Sequence, residues 1–354
     1  MEKYDIYKDI AKRTGGDVYI GVVGPVRTGK STFITKFMQE LVLPNITSKL
    51  HKQIAMDEMP QSADGKTIMT TQPKFVPANA VKVQLRSKVN CNVRLIDCAF
   101  DGQEDGESAL KESDNVSLER CRMNLRYPLW HCKNCALKDV VMTDRCRAAL
   151  WYSEQIKIET CRLEGIKALR ECRAVQIENA HIVSPEFGWK CSGVTVENTS
   201  LESEYAFLLS ENLQLDHVSF SGKYSFQYVK NMTAENCTFD TKDAFWHAEN
   251  VTVKNSLIRG EYLGWYSDRL TLIDCVITGT QPLCYCNRLK LVNCRMENAD
   301  LAFEYSDVDA EIDGAILSVK NPKSGAIAAD AIGETILTKD SVWPCRCSIV
   351  QKHE

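Results

Sequence analysis

The chain lacks an excess of either charge. Its 43 basic and 47 acidic residues leave a net charge of −4 over 354 residues. Nucleic acid is therefore not an expected partner, because that would call for a basic face or stripe. No apolar run approaches the ~18 residues of a membrane span, so no transmembrane segment is expected. The opening stretch MEKYDIYKDIAKR is charged and lacks the apolar centre of a secretory leader. The expected location is the cytoplasm.

Cysteine, by contrast, is plentiful: there are 16. Length and the missing leader argue against a secreted disulfide scaffold. Zinc spacing is poor as well. Cys132-x-x-Cys135 stands alone, and Cys284/Cys286 and Cys345/Cys347 are too close together.

A repeat explains the cysteines better. Ser113, Cys132, Ser153, Cys172, Cys191, Ser210, Val229, Ala248, Ser267, Cys286 and Ser306 are spaced by nineteen residues, apart from one gap of 21 and one of 20. Asn often follows two places later, as at Asn115, Asn134, Asn212, Asn231 and Asn250. An apolar pair comes next, such as Val194/Val196 or Leu270/Leu272. A second row of small residues includes Cys161, Cys237, Ser256, Cys275 and Cys294, and a turn row includes Gly165, Gly222, Gly260 and Gly279. Alternation within each unit predicts short strands, and the small and glycine rows predict turns. The expected architecture is mainly β: a right-handed parallel β-helix of about ten coils over residues 91–340, stacked at ~4.8 Å. Residues 341–354 are expected to be a tail. In such a stack the cysteines act as small buried hydrophobes.

Just before each small anchor lies an aromatic string. Trp130, Trp151, Trp189, Trp246 and Trp265 stand two places before it. His131, Tyr152, Lys190, Tyr228, His247 and Tyr266 stand one place before it. Two readings stand side by side. One is an elongated face for a polysaccharide, with Asp243 and Glu261 among its polar groups. The other is an aromatic ladder that only steadies the stack. A glycosidase needs two carboxylates about 5 to 9.5 Å apart. Glu204 and Glu261 share a repeat position but are three coils apart, and Asp243 and Glu261 are out of phase. No clean acid pair emerges.

The strings DGESALKES, LRYPLWH, RAALWY, EFGWK, TKDAFWH and GEYLGWYS are similar to an uncharacterised bacterial family of right-handed β-helix proteins. That resemblance implies a pectate-lyase-like fold and no particular activity.

The N-terminal stretch has another character. Val18–Val23 reads as a buried strand, and Gly24-Pro-Val-Arg27-Thr28-Gly29-Lys30-Ser31 follows it. This matches the P-loop pattern, with an amphipathic helix expected from about Ser31 to Leu43 and stopped by Pro44. Backbone N–H groups of the loop and of Thr32 would cradle phosphates, Lys30 would reach the β- and γ-phosphates, and Ser31 would bind Mg2+. Asp97 ends the strand Val93–Asp97, as a second Mg2+ ligand would. Residues 1–90 are therefore expected to form a shortened α/β nucleotide-binding segment.

The strings YDIYKDIAKRTGGDVYIGVVGPVRTGKSTFI, ELVLPNI, DEMPQSADGKTIMTTQPKFVP and VRLIDC resemble the start of the stage IV sporulation protein A family of spore-coat ATPases. The resemblance implies ATP and Mg2+ as cofactors. It assigns Lys30, Ser31, Thr70, Thr71 and Asp97 to the nucleotide and metal, and it implies self-assembly with spore coat proteins at the forespore surface. The likeness stops after Cys98, and no Asn-Lys-x-Asp base-reading motif follows. Leu95-Ile-Asp97-Cys98 also recurs as Leu272-Ile-Asp274-Cys275 within the repeats. Asp97 thus fits either a metal ligand or a turn-adjacent residue of a first coil.

Overall fold

The computed structural model describes residues 17–23, 30–57, 59, 75–84, 90–98 and 110–352. The chain divides into two compact units, 1–110 and 111–354.

In the first unit, strand β1 (Asp17–Val23) is followed by helix α1 (Lys30–Phe37), which runs on through a π-helical turn (Met38–Val42) and a 3-10 turn (Leu43–Asn45). Pro44 sits in that last turn, where a residue without an N–H can no longer extend a helix. Ile34, Met38 and Val42 recur every four residues and are fully buried, so one stripe faces the small core. Helix α2 (Lys49–Asp57) adds Ala55 to that core. Strands β2 (Phe75–Gln84) and β3 (Asn90–Cys98) complete a three-stranded sheet in the order β1-β3-β2. β3 runs parallel to β1 and antiparallel to β2. The Leu95–Cys98 string thus lies in this sheet, paired with Ile20–Val23, and not in a first coil.

The second unit is a parallel β-solenoid. Its first described rung is Asp114–Glu119, and the same strand recurs at Lys133–Lys138, Glu154–Glu159, Arg173–Glu178 and onward. Registers such as Arg173↔Ser192, Ser192↔Glu211 and Glu211↔Lys230 step by nineteen, so repeat positions stack in line. The 21-residue gap is also visible, as Lys133↔Glu154. Thr143 N–H bonds back to Met123 O, whereas Ala148 N–H bonds to Arg126 O, so the two extra residues fall in the turn between 143 and 148.

Stacking runs further than the repeat pattern. Asp307–Lys320, Ser324–Ile336 and Arg346–Gln351 each pair in parallel with the strand before, bringing the rungs to about thirteen. Residues 346–351, expected within a tail, are therefore a strand. The later coils drop the nineteen-residue period, as Asp307↔Ser324 shows, and that hides them from periodicity.

The interior differs from a plain apolar tube. Phe187, Phe207, Phe226, Phe245 and Phe303 are fully buried. Phe207, Phe226 and Phe245 stack on one another with centroids 5.8 and 5.1 Å apart. The anchor row is a hydrogen-bond ladder. Ser210 Oγ accepts from Cys191 N–H (2.9 Å) and donates to Gly188 O (2.6 Å). Ser153 does the same for Cys132 and Leu129, and Ser306 for Cys286 and Leu283. Cysteine fills the same role more weakly: Cys286 Sγ donates to Gly264 O at 3.1 Å. Burial pushes the Cys286 thiol up to about 11, so it keeps its proton. Ser or Cys suits this row because it bonds a corner N–H and C=O that lack a strand partner, and buried groups of that kind must be bonded; where Val229 stands in the row instead, Ser210 N–H turns to Phe207 O at 3.2 Å. The fourteen cysteines from Cys121 to Cys347 are free thiols. The glycine row has a steric cause: a Cβ on Gly260 would lie 1.9 Å from Thr241 O.

Candidate functional site

The aromatic residues of the solenoid form two neighbouring rows. Backbone bonds from His131 to Trp151, Tyr152 to Arg170, Glu171 to Trp189, Tyr228 to Trp246 and His247 to Trp265 tie successive coils together. One row reads Trp130, Trp151, Arg170, Trp189, Leu208, Gln227, Trp246, Trp265. Its tryptophans therefore fall into a front group and a rear pair.

The next row holds His131, Tyr152, Glu171, Lys190, Leu209, Tyr228, His247, Tyr266, Tyr285 and Tyr305, all at φ between 50 and 60°. This left-handed conformation costs a side-chain-bearing residue about 1–2 kcal/mol. Stacked neighbours repeat and hold it. The turn sends this side chain outward while the following anchor points in. Tyr228, Tyr266 and Tyr152 are accordingly exposed.

From Tyr228 onward the row is a continuous column. Centroids are 4.8 Å apart for Tyr228–His247, 5.0 Å for His247–Tyr266 and 4.7 Å for Tyr266–Tyr285, with planes within 17°. Tyr305 continues it, and Trp343 closes it edge-on at 5.3 Å. Trp246 and Trp265 are parallel at 5.4 Å. Ring faces are thus largely turned to one another, leaving edges and polar tips to solvent. In the front group the faces meet cations: Lys111 Nζ lies 4.6 Å from Trp130, and the Arg170 guanidinium lies 5.1 Å from Trp151 and 4.8 Å from Trp189.

The polar candidates separate. Asp243 is buried, and desolvation raises its carboxyl above the usual range, Lys242 opposing. Glu261 is exposed and pairs with Lys242 at 2.9 Å. Lys190 is exposed at its turn, and His131 packs against Tyr152 at 4.9 Å with the rings tilted by 43°.

One feature escaped sequence reasoning. Glu159, Glu178, Glu197, Asp216 and Glu235 are register partners on five consecutive coils. Glu197, Asp216 and Glu235, with Thr195, Gln214, Thr233 and Lys254, line an open groove of about 510 Å³ on a different row from the aromatics. The nineteen-residue spacing of the acids was readable, but five like charges in register run against the usual preference for opposite-charge neighbours.

In the first unit, Gly24, Arg27, Thr28, Gly29, Thr70 and Thr71 lie outside the described residues. Lys30 and Ser31 open helix α1, and Thr32 is exposed in its first turn. Asp97 is the penultimate residue of β3, in register with Val22 of β1. Backbone alone thus brings Asp97 to the strand end from which the glycine loop departs.

These features define a parallel β-solenoid that follows a short α/β segment in the chain. The chain belongs to the family described as protein of unknown function DUF3737, which matches residues 87–350. Residues 1–118 match a second family, the ATPase domain of stage IV sporulation protein A. Stage IV sporulation protein A of Bacillus subtilis (strain 168) is 63% identical over 98 residues, 28% of this chain and 20% of that protein. The protein of the same name from Clostridioides difficile (strain 630) is 61% identical over 94 residues, 27% of this chain and 19% of its own. The chain thus spans about a fifth of the length of the curated relatives it matches. Among solved structures, a plasmid-mediated fluoroquinolone resistance protein is 8% identical, covering 67% of this chain and 91% of its own. Its TM-score of 0.16 is too low for anything about this chain to follow. The two family matches overlap at residues 87–118, which contain β3. Among the described residues no helix is long and apolar enough to cross a membrane.

Proposed function

We propose that the N-terminal unit binds the phosphates of a nucleotide, ATP in the first place, together with Mg2+, in a sporulation-related protein. One observation carries the reading: β3 is parallel to β1 and sets Asp97 beside Val22, two residues before Gly24, while α1 begins at Lys30. The ends of β1 and β3 lie side by side and α1 starts seven residues after Val23, an arrangement that suits phosphate and metal binding. The chemistry fits. Ser31 and Asp97 offer hard oxygen ligands suited to Mg2+. Backbone N–H groups of Gly24, Arg27, Thr28, Gly29 and Thr32 would surround the phosphates, and Lys30 would supply the point charge. Bound nucleotide and Mg2+ would supply a polarised phosphoanhydride. Turnover aided by Lys30, Thr70 and Thr71, self-assembly with spore coat proteins, and a place on the forespore surface extend the same reading. Identity to the sporulation proteins over the first 98 residues supports it. The test is calorimetric titration of the full chain with MgATP. Saturable binding that weakens at least ~10-fold in Lys30→Ala is expected; no binding by the unaltered chain overturns the proposal.

The column from Tyr228 to Tyr305, exposed at Tyr228, His247 and Tyr266, favours a second reading, a polysaccharide face. Since its ring faces are stacked together, such a face would work through hydroxyl and imidazole edges, with Trp246 and Trp265 behind. Glycan-array binding that is lost in Tyr266→Ala is its expected sign, and a blank array removes it.

A further inference from the structure

We propose that the front coils of the solenoid bind an oxyanion, a carboxylate or a phosphoryl group, between the indoles of Trp130 and Trp151 and the guanidinium of Arg170. The argument starts from a contrast within one row. Trp189, Trp246 and Trp265 each donate their indole N–H to a carbonyl sixteen residues on, at Tyr205 (2.7 Å), Tyr262 (2.7 Å) and Gln281 (2.8 Å). Trp130 Nε1 and Trp151 Nε1 are shielded from solvent and have no hydrogen-bond partner among the described residues. Arg170 Nε is in the same condition. It lies 3.5 Å from Glu171 Oε1 without a hydrogen bond.

These three groups are neighbours. His131 N–H bonds to Trp151 O, which links the first two coils, and Trp151 pairs in register with Arg170. All three are donors with no acceptor of their own. Unpaired buried donors are rare in folded proteins, and each calls for an explanation such as an absent ion. The backbones of the two tryptophans stand one coil apart, at the ~4.8 Å strand spacing, so one anion with several oxygens can serve an N–H on each coil. Arg170 adds a planar fork suited to a carboxylate or phosphate.

The surroundings are mixed in charge. Lys111 stands over Trp130, and Lys167 reaches Glu186 at 3.3 Å. Arg170 Nη1 also contacts Glu186 at 3.3 Å. Glu171 and Glu186 thus both pair with Arg170, and its Nε, though close to Glu171, makes no hydrogen bond. The covers of the two indoles include Lys111 and Arg170, long cationic side chains on rotatable stems, so an arriving anion meets charge that can turn toward it.

The site is independent of the nucleotide proposal, and the test keeps the two apart. The full chain carrying Lys30→Ala, uniformly labelled with nitrogen-15, is titrated with inorganic phosphate and separately with galacturonate at low salt. Indole N–H resonances report each tryptophan. Those of Trp130 and Trp151 should shift saturably while those of Trp189, Trp246 and Trp265 stay in place. Response to one probe and not the other names the source of the oxyanion. Trp151→Phe keeps the ring and removes the donor, and it should weaken binding about tenfold; Arg170→Gln should do the same. Trp130→Phe serves if the first variant does not fold. The proposal is overturned if neither probe moves the front indoles, or if both Trp→Phe variants bind as well as their parent.

Discussion

Ser210 offers the sharpest test of how this solenoid is held together. Its side chain is 1% exposed. One oxygen closes two bonds at a corner, accepting from Cys191 N–H at 2.9 Å and donating to Gly188 O at 2.6 Å. In Ser210→Ala both backbone groups lose this partner, and neither faces water. An orphaned buried donor or acceptor costs about 1–3 kcal/mol, so the pair is worth about 2–6 kcal/mol. Ser210→Cys should recover roughly half of that. Cysteine already fills this row at Cys172, whose Sγ donates to Leu150 O at 2.8 Å, and a thiol is a weaker donor. The assay is native-state hydrogen exchange at the Cys191 amide, with urea denaturation beside it. Local opening should become at least ~30-fold easier in Ser210→Ala, since ~1.4 kcal/mol corresponds to a factor of ten. Exchange unchanged in Ser210→Ala, or faster in Ser210→Cys than in Ser210→Ala, would refute the ladder.

Two further outcomes follow from the same coordinates. Gly260→Ala places a Cβ 1.9 Å from Thr241 O at a φ of 143°, so soluble expression should fall sharply and urea midpoints should drop, whereas Gly314→Ala meets nothing within 4 Å and is strained only through its φ of 86°. Asp243 has its carboxyl raised by burial in the folded state. A raised carboxyl binds its proton more tightly when folded, so its contribution to stability falls as pH rises from the unfolded value near 3.9 through the folded one. Asp243→Asn should therefore raise the melting temperature at neutral pH, with the gain vanishing below about pH 4; a destabilised variant at pH 7 would show that the ionised carboxylate is held by a partner.

Much of the architecture was readable from residue spacing alone. A coil cannot bury its own apolar face, so a nineteen-residue rhythm of Ser/Cys, Asn, paired aliphatics and Gly forces neighbours into stacked register. The 21-residue gap before Ser153 marked the one coil with two extra residues. The Asn row was visible too, and its reason is local: Asn tolerates the left-handed corner and its amides bridge coils, as from Asn250 Nδ2 to Asn231 Oδ1 at 2.8 Å. The amphipathic helix expected from about Ser31 was equally legible, and its stripe Ile34, Met38, Val42 is buried.

Other properties needed the third dimension. The string Leu95–Cys98 suited both a coil and a strand of the N-terminal sheet, and only its pairing with β1 chose between them. Cysteine spacing marked an interior row but not its hydrogen bonds, because those depend on which corner groups lack a strand partner. The aromatic rows were evident as positions, yet nothing in their spacing told that Tyr228, His247 and Tyr266 stack on one another. Nor did it separate Trp246, whose N–H is bonded, from Trp151, whose N–H is not. Periodicity sets which residues share a row because stacking is a one-dimensional rule. Whether a ring face or an N–H finds a partner turns on a few tenths of an ångström between side chains of adjacent coils, and only the packed structure settles that distance.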